Sequence, residues 1–285
     1  TVSVSFANQF KTTLLLGAMI ALFVAVGAIW GQSGMIAGLI LGGSMNVIAW
    51  FFSDRIAIAA MQGREVTAQS APQLWHTVDR LRQRAGLPMP RVYLCPHDAP
   101  NALATGRSPA RSAVAVTQGL LRMVDQSELE GVIAHELAHI RNRDTLISCI
   151  AATIAGVLAF VAQWFFFLGG GSNRETHPLV GFLVVIVAAL GAALLKAMIS
   201  RTREFAADAA GAHIAGETRG LASALLKLDA YSRRIPLVQP NPAQNSLFIV
   251  EPLAGAGRTL VNLFATHPPT EARVAALQRL RQDLI

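Results

Sequence analysis

The chain has 285 residues, of which 53% are hydrophobic and only 14% are charged, and its formal net charge is +7. Soluble globular domains average about 25% charged residues, so the composition excludes both an ordinary soluble domain and a disordered chain. Charged residues are absent from three long runs, Thr12 to Ser53, Thr145 to Asn173 and Thr176 to Leu195. Because a bilayer core needs about 20 apolar residues per helix, these runs predict membrane-spanning helices.

The charge-free runs predict two helical hairpins in the membrane. The first run is too long for one span, and its Gly31-Gln32-Ser33-Gly34 sequence is the predicted turn. The predicted spans cover residues 12–30, 35–52, 146–168 and 179–199. The chain then consists of a transmembrane hairpin at 12–52, a soluble segment at 53–144, a second hairpin at 145–199 and a soluble segment at 200–285. An even number of spans separates the two soluble segments, so we expect them to form one domain on one side of the membrane.

The distribution of basic residues predicts the side on which this domain lies. Nearly all Lys and Arg residues belong to the soluble segments, and Arg174 is the only one in the loops that face the other side. By the positive-inside tendency, the soluble segments are cytoplasmic. The densest basic cluster, Arg80, Arg82 and Arg84, is too sparse to indicate nucleic-acid binding, so contact with anionic lipid accounts for the excess charge.

The segment between the second and third predicted spans contains the pattern of a small sheet. A predicted amphipathic helix at 70–85 is followed by strand-like runs at 91–95, 101–105 and 113–117. Gly106 and Ser108-Pro109 supply a turn between the last two runs, as a small antiparallel sheet requires.

An exposed edge of this sheet is the predicted binding surface for an extended peptide. One of the runs 101–105 and 113–117 is the expected edge, and the alternating Ala and Val of the second suit a shallow groove; pairing of both runs inside the sheet is the alternative. The candidate substrate-binding residues are Asn101, Ala102, Ala113, Val114, Ala115 and Val116.

The next helix carries the pattern of a metal site. Ser127-Glu128-Leu129-Glu130 predicts its start, with Ser as the N-cap and Glu three residues later. The helix then contains His135-Glu136-Leu137-Ala138-His139, in which two imidazoles four residues apart project from one face. This HExxH arrangement predicts a zinc ion held by both histidines, with Glu136 turned toward the water that the metal activates.

A catalytic zinc usually takes a third protein ligand, and the residues just after His139 offer no third histidine. Glu204 and Asp208 lie one turn apart on a predicted helix after the fourth span, which suits a ligand and a carboxylate that accepts a ligand's ring N–H. At 1.5 Å per residue, His139 lies roughly 9 Å before Thr145 and Glu204 roughly 12 Å after Lys196, so both stand at a similar height above the membrane. The alternative is that both carboxylates are solvated or paired with Arg201 and Arg203.

Several motifs together resemble the HtpX family of bacterial inner-membrane zinc metalloproteases, which are related to the CAAX prenyl proteases. The resemblance covers nearly the whole chain and rests on residues 101–106, 114–121, the HExxH motif at 135–139, residues 200–208, and Thr266-His267-Pro268-Pro269-Thr270-Glu271-Ala272-Arg273. Leu103 stands where the family usually has Phe. The implied fold is α+β and mostly helical, with four transmembrane helices and a cytoplasmic zincin-like metalloprotease domain that carries a small antiparallel sheet.

The resemblance implies one Zn²⁺ per chain, with His135, His139 and Glu204 as ligands and Glu136 as the general base. It also implies that His267 and Arg273, six residues apart, line the active site, where they are candidate donors to the oxyanion. The alternative for these two is a helix entry, with Thr270 as the cap and Arg273 on the solvent face.

The implied function is a membrane-integrated zinc endopeptidase that cleaves unfolded or misfolded proteins in membrane protein quality control, with its active site facing the cytoplasm. Its expected partners are these substrates and the lipid bilayer; the sequence leaves open a homo-oligomer and a regulatory membrane partner. A noncatalytic membrane scaffold with a structural zinc is the alternative, although such a site has no use for Glu136. The Pro-rich segment 235–266 is the predicted loop or lid.

Overall fold

The protein is described by a computed structural model that covers residues 31–146, 201–234 and 268–283, together with parts of 13–28. The third and fourth predicted spans lie outside the described residues, apart from residue 146. The predicted loop at 235–266 and His267 also lie outside them.

The described part is mostly helical and contains one small mixed sheet. Its elements, in chain order, are α1 (Gly31–Ala60), β1 (Arg64–Val66), α2 (Pro72–Arg84), β2 (Arg91–Cys95), β3 (Ala102–Ser108), β4 (Arg111–Thr117), α3 (Gln118–Met123), α4 (Gln126–Asn142), α5 (Arg201–Ala215), α6 (Arg219–Arg234) and α7 (Thr270–Asp283).

Helix α1 contains the second predicted span and continues beyond it. Its Gly31–Phe52 stretch of 22 residues is the one helical segment, among the described residues, that is long and apolar enough to cross a bilayer. The helix does not end there, since it runs on to Ala60. A membrane-spanning length and a further two turns are therefore joined in one helix.

A shorter apolar helix, Leu16–Ala25, lies against α1 where the first span is predicted. The Asn46 side-chain amide of α1 donates to the Leu16 carbonyl at 2.9 Å. A Cβ on Gly38 would lie 2.3 Å from the Phe23 carbonyl oxygen, so only glycine permits this approach. These contacts place the two segments side by side, as a helical hairpin requires.

The sheet has the strand order β1-β2-β4-β3 and is mixed, which corrects the predicted antiparallel sheet. β1 pairs antiparallel with β2, and β3 pairs antiparallel with β4, but β2 and β4 run parallel. The chain leaves β2, forms β3 on the outside, and returns as β4 between them. Local turn signals predicted the β3–β4 hairpin but not which of its strands would join β2.

This order decides which strand has an open edge. β4 has ladder partners on both sides, so its backbone groups are paired and the edge prediction for Ala113, Val114, Ala115 and Val116 is wrong. All four residues have no exposed surface. β3 is the edge next to β4, and the short β1 is the edge on the far side of β2.

Alternation along the strands divides the buried side chains into two clusters. Val114 and Val116 join the main core, which fills the space between the sheet and the helices α2, α4, α5, α6 and α7. Ala113 and Ala115 face the other way, into a smaller cluster with Ile58, Met61, Tyr93, Cys95 and Leu103. Because Ile58 belongs to α1, the end of this long helix, beyond its apolar stretch, packs directly on the sheet.

Helix α4 begins at Gln126 and is capped by Asp125, two residues before the predicted Ser127 cap. The Asp125 carboxylate accepts from the Glu128 N–H, and the Glu128 carboxylate accepts from the Asp125 N–H, both at 2.9 Å. Glu128 is buried and also accepts from Ser223 at 2.6 Å and Lys227 at 2.7 Å of α6. Burial raises the pKa of Glu128, but these donors outweigh it and lower the pKa overall.

Candidate metal centre

Helix α4 carries the two histidines into the interior of the domain. His135 and His139 lie one turn apart, with their Nε2 atoms 3.1 Å from each other and their rings nearly perpendicular. His135 is buried, whereas His139 is partly exposed. The predicted spacing therefore places two imidazole nitrogens at one point, open to solvent on the His139 side.

Helix α5 packs along α4 and brings a carboxylate to the same point. Glu204 Oε2 lies 3.8 Å from His135 Nε2, and Glu204 Oε1 lies 3.6 Å from His139 Nε2. Close packing depends on Gly211, where a Cβ would lie 2.9 Å from the backbone of His135. One ligand atom from each of His135, His139 and Glu204 lies within 4.8 Å of the others, so these three residues can hold a metal ion.

Asp208 lies one turn after Glu204 and reaches the back of the first histidine. Its Oδ1 is 2.9 Å from His135 Nδ1, which is the position that the spacing predicted for a carboxylate behind a ligand. Arg273 of α7 holds the same carboxylate with two hydrogen bonds, from Nη2 at 2.6 Å and from Nε at 2.8 Å. Burial raises the pKa of Asp208, but Arg273 and His135 outweigh it and hold the pKa at about 2.

Arg273 also borders the metal-binding point itself. Its Nη1 lies 3.6 Å from Glu204 Oε2 and its Nη2 lies 3.5 Å from His135 Nε2. The side chain is 1% exposed, which rules out the alternative of a solvent-facing arginine at the start of α7. A buried guanidinium is costly unless it is paired, and here Asp208 is its bidentate partner.

The second histidine has an equivalent partner that sequence reasoning missed. Asp144 Oδ2 lies 3.3 Å from His139 Nδ1, and Asp144 is 1% exposed. Arg143 ends α4 in the left-handed conformation, with a φ of 60°, which turns the chain back so that Asp144 N–H donates to the His139 carbonyl. The only signal in the sequence was an acidic residue directly after the helix, five residues beyond His139.

These partners bias the way in which the two rings can bind a metal. A carboxylate oxygen lies 2.9 Å from His135 Nδ1 and another lies 3.3 Å from His139 Nδ1, which favours a proton on each Nδ1 and leaves each Nε2, beside the Glu204 carboxylate, to bind the metal. Burial lowers the pKa of His139, but Asp144, Glu204 and Glu136 outweigh it and raise that pKa to about 9. The surroundings therefore favour positive charge at the point where the three donor atoms meet.

The balance of buried charge agrees with a divalent cation. The carboxylates around the two imidazoles are Glu136, Asp144, Glu204 and Asp208, and the guanidinium groups are Arg203 and Arg273. With the four carboxylates ionised and both imidazoles neutral, as metal ligands must be, the four negative and two positive charges leave a formal charge of −2. Two imidazole nitrogens and a carboxylate are the donors that zinc takes in catalytic sites, so the residues present fit the metal.

Glu136 lies beside the histidines but is not one of the three donors. It is 5% exposed, and burial raises its pKa, more than the neighbouring His135 and His139 lower it. The backbone N–H of Ala104, on the edge strand β3, donates to its carboxylate. Strand β3 and helix α4 therefore meet at the residue that the HExxH pattern predicts as the base.

The register of β3 shows which of its backbone groups face away from the sheet. The Asn101 carbonyl accepts from Thr117 N–H at 2.9 Å, so the groups of Leu103 point toward β4 and those of Ala102 and Ala104 point away. The bond from Ala104 to Glu136 agrees with this assignment. Asn101 itself is 1% exposed and its N–H donates to the Thr117 hydroxyl, so it anchors the start of β3.

Leu103 lies on the opposite side of the strand from the metal-binding point. Its side chain belongs to the cluster that packs against α1 through Ile58 and Met61.

We expect Asp144→Asn to weaken metal binding by about 10- to 100-fold, the usual effect of removing a partner behind a ligand. The amide oxygen of Asn can still accept a hydrogen bond from His139. The substitution removes the negative charge of Asp144, which lies beside both Arg203 and the His139 ring. Affinity is measured by competition with a chromophoric chelator. Asp98→Asn is the matched control, since Asp98 is a surface residue paired with Arg122, and its affinity is expected to stay at the parental value. Equal affinity of the Asp144 variant and the parent would contradict the assigned role.

Comparisons with known proteins give a consistent set of matches. The sequence family described as Peptidase family M48 matches residues 68–281. A Protease HtpX homolog of Pelotomaculum thermopropionicum is 47% identical over 281 residues, which cover 96% of this chain and 99% of that protein. A Protease HtpX homolog of Desulfatibacillum aliphaticivorans is 49% identical over 282 residues, with 96% and 90% covered.

The fold also matches a solved structure. The crystal structure of S. mikatae Ste24p aligns with a TM-score of 0.50 at 19% sequence identity. The alignment covers 97% of this chain and 66% of that longer one, and at this identity it speaks for the fold alone.

Proposed function

The chain belongs to peptidase family M48 and to its HtpX proteases, and on that premise we propose that this membrane metallopeptidase is a zinc endopeptidase for unfolded or misfolded membrane proteins. The observation that carries the proposal is the pair of imidazole Nε2 atoms, 3.1 Å apart and oriented by Asp208 and Asp144, beside the Glu204 carboxylate. Zinc in catalytic sites takes three such ligands and keeps one position open.

His135, His139 and Glu204 would hold the metal, and a bound zinc supplies a Lewis acid that acidifies water and polarises the peptide carbonyl. The rest of the chemistry belongs to the side chains. Glu136 takes the proton of the attacking water and later delivers it to the leaving nitrogen. The Ala104 N–H holds this carboxylate in place, and its burial keeps the base away from bulk water. Hydrolysis is then direct, without an acyl-enzyme.

Substrate would bind along β3 as an added strand. The outward N–H and C=O of Ala102 and the outward C=O of Ala104 would pair with the peptide backbone, while the Ala104 N–H stays bonded to Glu136. A main-chain interaction of this kind requires no particular side-chain sequence. The scissile bond would then pass beside Glu136, which already contacts Ala104. This mode of binding suits extended, unfolded chains and would give broad specificity.

Arg273 and His267 are the proposed donors to the oxyanion. The Arg273 guanidinium lies within 3.6 Å of both Glu204 and His135, which supports its half of the proposal. Its two bonds to Asp208 would keep it fixed while charge develops on the carbonyl oxygen.

The proposed topology has four spans, with the protease domain on the cytoplasmic face of the inner membrane. The apolar part of α1 and its packing against Leu16–Ala25 support the first hairpin. The charge-free sequence at 145–199 and the concentration of Lys and Arg in the soluble segments support the remainder.

The test is cleavage by the full-length protein in detergent or lipid nanodiscs. One protein substrate is offered in its folded form and in a permanently unfolded form, before and after chelation, and then with zinc or magnesium restored. We expect zinc-dependent cleavage of the unfolded form alone. Cleavage that persists after chelation would overturn the metal dependence. Bound zinc without any cleavage would favour the structural zinc site of a noncatalytic scaffold.

A further inference from the structure

We propose that Arg55, Arg91, Arg107 and Arg111 form a collar that binds anionic phospholipid headgroups and holds the β3–β4 hairpin against the bilayer surface. The partner is the lipid surface itself, recognised by its phosphate charge. The proposal rests on the membrane location of α1 and on the sheet geometry, and not on the peptidase activity.

The first step is the position of the collar along α1. The apolar stretch of α1 ends at Phe52, and Trp50, Phe51 and Phe52 remain 37%, 51% and 43% exposed within the described part of the chain. Exposed aromatic residues at the end of a span are typical of the membrane–water interface. The residues around Phe51 and Phe52 therefore lie at the level of the headgroups.

The second step is that the guanidinium groups reach this level. Arg107 stacks over the Phe51 ring at 4.7 Å from its centroid, and Arg55 stacks over the Phe52 ring at 5.7 Å. Arg91 pairs with Asp54 of α1 at 3.0 Å while 43% of its side chain stays exposed. The aromatic contacts hold cations beside the interfacial rings and leave their outer surfaces available to phosphate.

The third step concerns the sheet. Arg91 and Tyr93 are two residues apart on β2, as are Arg111 and Ala113 on β4, so the members of each pair lie on the same face of the sheet. Tyr93 and Ala113 pack against α1, and both arginines therefore lie on the face that α1 covers. Ile58 and Met61 contact this face farther along the strands, toward Cys95. The part of α1 nearer the membrane therefore lies beside the other end of the sheet, where β2 and β4 begin with Arg91 and Arg111.

An independent contact points to the same end of the sheet. The Thr145 hydroxyl, where the third span is predicted to begin, donates to the Gly106 carbonyl at 2.8 Å. Gly106 precedes Arg107 in the hairpin. Two separate parts of the chain that lead toward the membrane, α1 and the segment after α4, thus contact one hairpin at adjacent residues.

The net charge of this surface is positive. Among the described residues, two carboxylates lie on this face of the sheet: Asp54, which pairs with Arg91, and Glu65, which accepts from the Tyr93 hydroxyl at 3.2 Å. They offset two of the four guanidinium groups. Each basic residue near an anionic membrane surface strengthens binding about fivefold.

The collar also sets the height of the catalytic site above the membrane. Arg107 and Ala104 are three residues apart on β3, so the Ala104 bond to Glu136 lies at most about 10 Å farther from the membrane than Arg107.

The test measures the distance of the hairpin from the lipid in the full-length protein. A fluorophore is attached to Ala110→Cys, in the turn between β3 and β4, in a background with Cys95→Ala and Cys149→Ala. The protein is placed in nanodiscs of phosphatidylcholine with increasing phosphatidylglycerol, and quenching by a lipid with a headgroup nitroxide is recorded. Glu217→Cys is the matched position, since its turn lies near the start of α4, about 25 Å from the membrane-proximal end of that helix.

We expect strong quenching at position 110, weak quenching at position 217, and an increase at position 110 with phosphatidylglycerol. Arg107→Gln and Arg111→Gln should each require about fivefold more phosphatidylglycerol for half-maximal quenching, whereas Arg107→Lys should behave like the parent. An unquenched label at position 110 would overturn the docking of the hairpin. Strong quenching that depends neither on the phosphatidylglycerol content nor on the glutamine substitutions would overturn the role of the arginines. Retained metal affinity verifies that each variant is folded.

Discussion

Replacement of Glu136 by Gln is expected to lower kcat for peptide hydrolysis by about 10²- to 10⁴-fold, the usual contribution of a general base, while metal affinity changes little. Gln has the shape of Glu, and its amide cannot take the proton of the attacking water. Because Glu136 is not one of the three metal donors, the imidazoles and Glu204 remain in place. The measurements are initial rates on an unfolded substrate and metal affinity by chelator competition.

The control for this substitution is Glu130→Gln, the same change six residues earlier on α4. Glu130 pairs with Arg80 at the surface and contacts none of the metal donors, so the rate is expected to stay near that of the parent. Excess zinc should not restore the Glu136 variant, because its defect is the missing base. An active Glu136→Gln enzyme would remove this residue from the proton transfer, and lost metal affinity would make it a ligand instead.

Glu204→Gln is expected to weaken metal binding by more than the 10- to 100-fold that removal of a partner behind a ligand causes. The substitution removes one of three donors and one of the negative charges that offset the cation. It also leaves the nearby Arg273, 3.6 Å away, with one carboxylate fewer. Activity should fall at limiting zinc and recover in part at excess zinc.

This recovery separates the two substitutions, because added metal compensates for a weak site but not for a missing base. The control is Glu217→Gln, an exposed residue between α5 and α6 that is far from the metal donors. Melting temperature is measured beside metal affinity for both variants. A Glu204 variant that binds zinc as the parent does would show that another residue supplies the third ligand.

The largest features of this protein follow from the sequence alone. Local patterns needed no knowledge of distant residues: the uncharged runs predicted an apolar helix where α1 lies, and the spacing of His135 and His139 placed both rings on one face of α4. Both predictions depend on side chains a few residues apart on one helix, and the geometry of a helix is nearly constant. The motif order also predicted the HtpX family, which the comparisons confirm.

Tertiary structure decided the partners of these residues. Arg273 contacts Asp208 and His135 across 65 and 138 residues of sequence, and no local period encodes such a contact. Strand order is equally nonlocal: a hairpin signal joins β3 and β4, but pairing with β2 decides that β4 is internal and that β3 is the edge. Asp144 reaches His139 because of one left-handed residue at the end of α4. The sequence by itself thus determined the apolar helix and the metal-binding motif, whereas packing among distant segments determined which carboxylate lies behind each histidine and which strand forms the edge of the sheet.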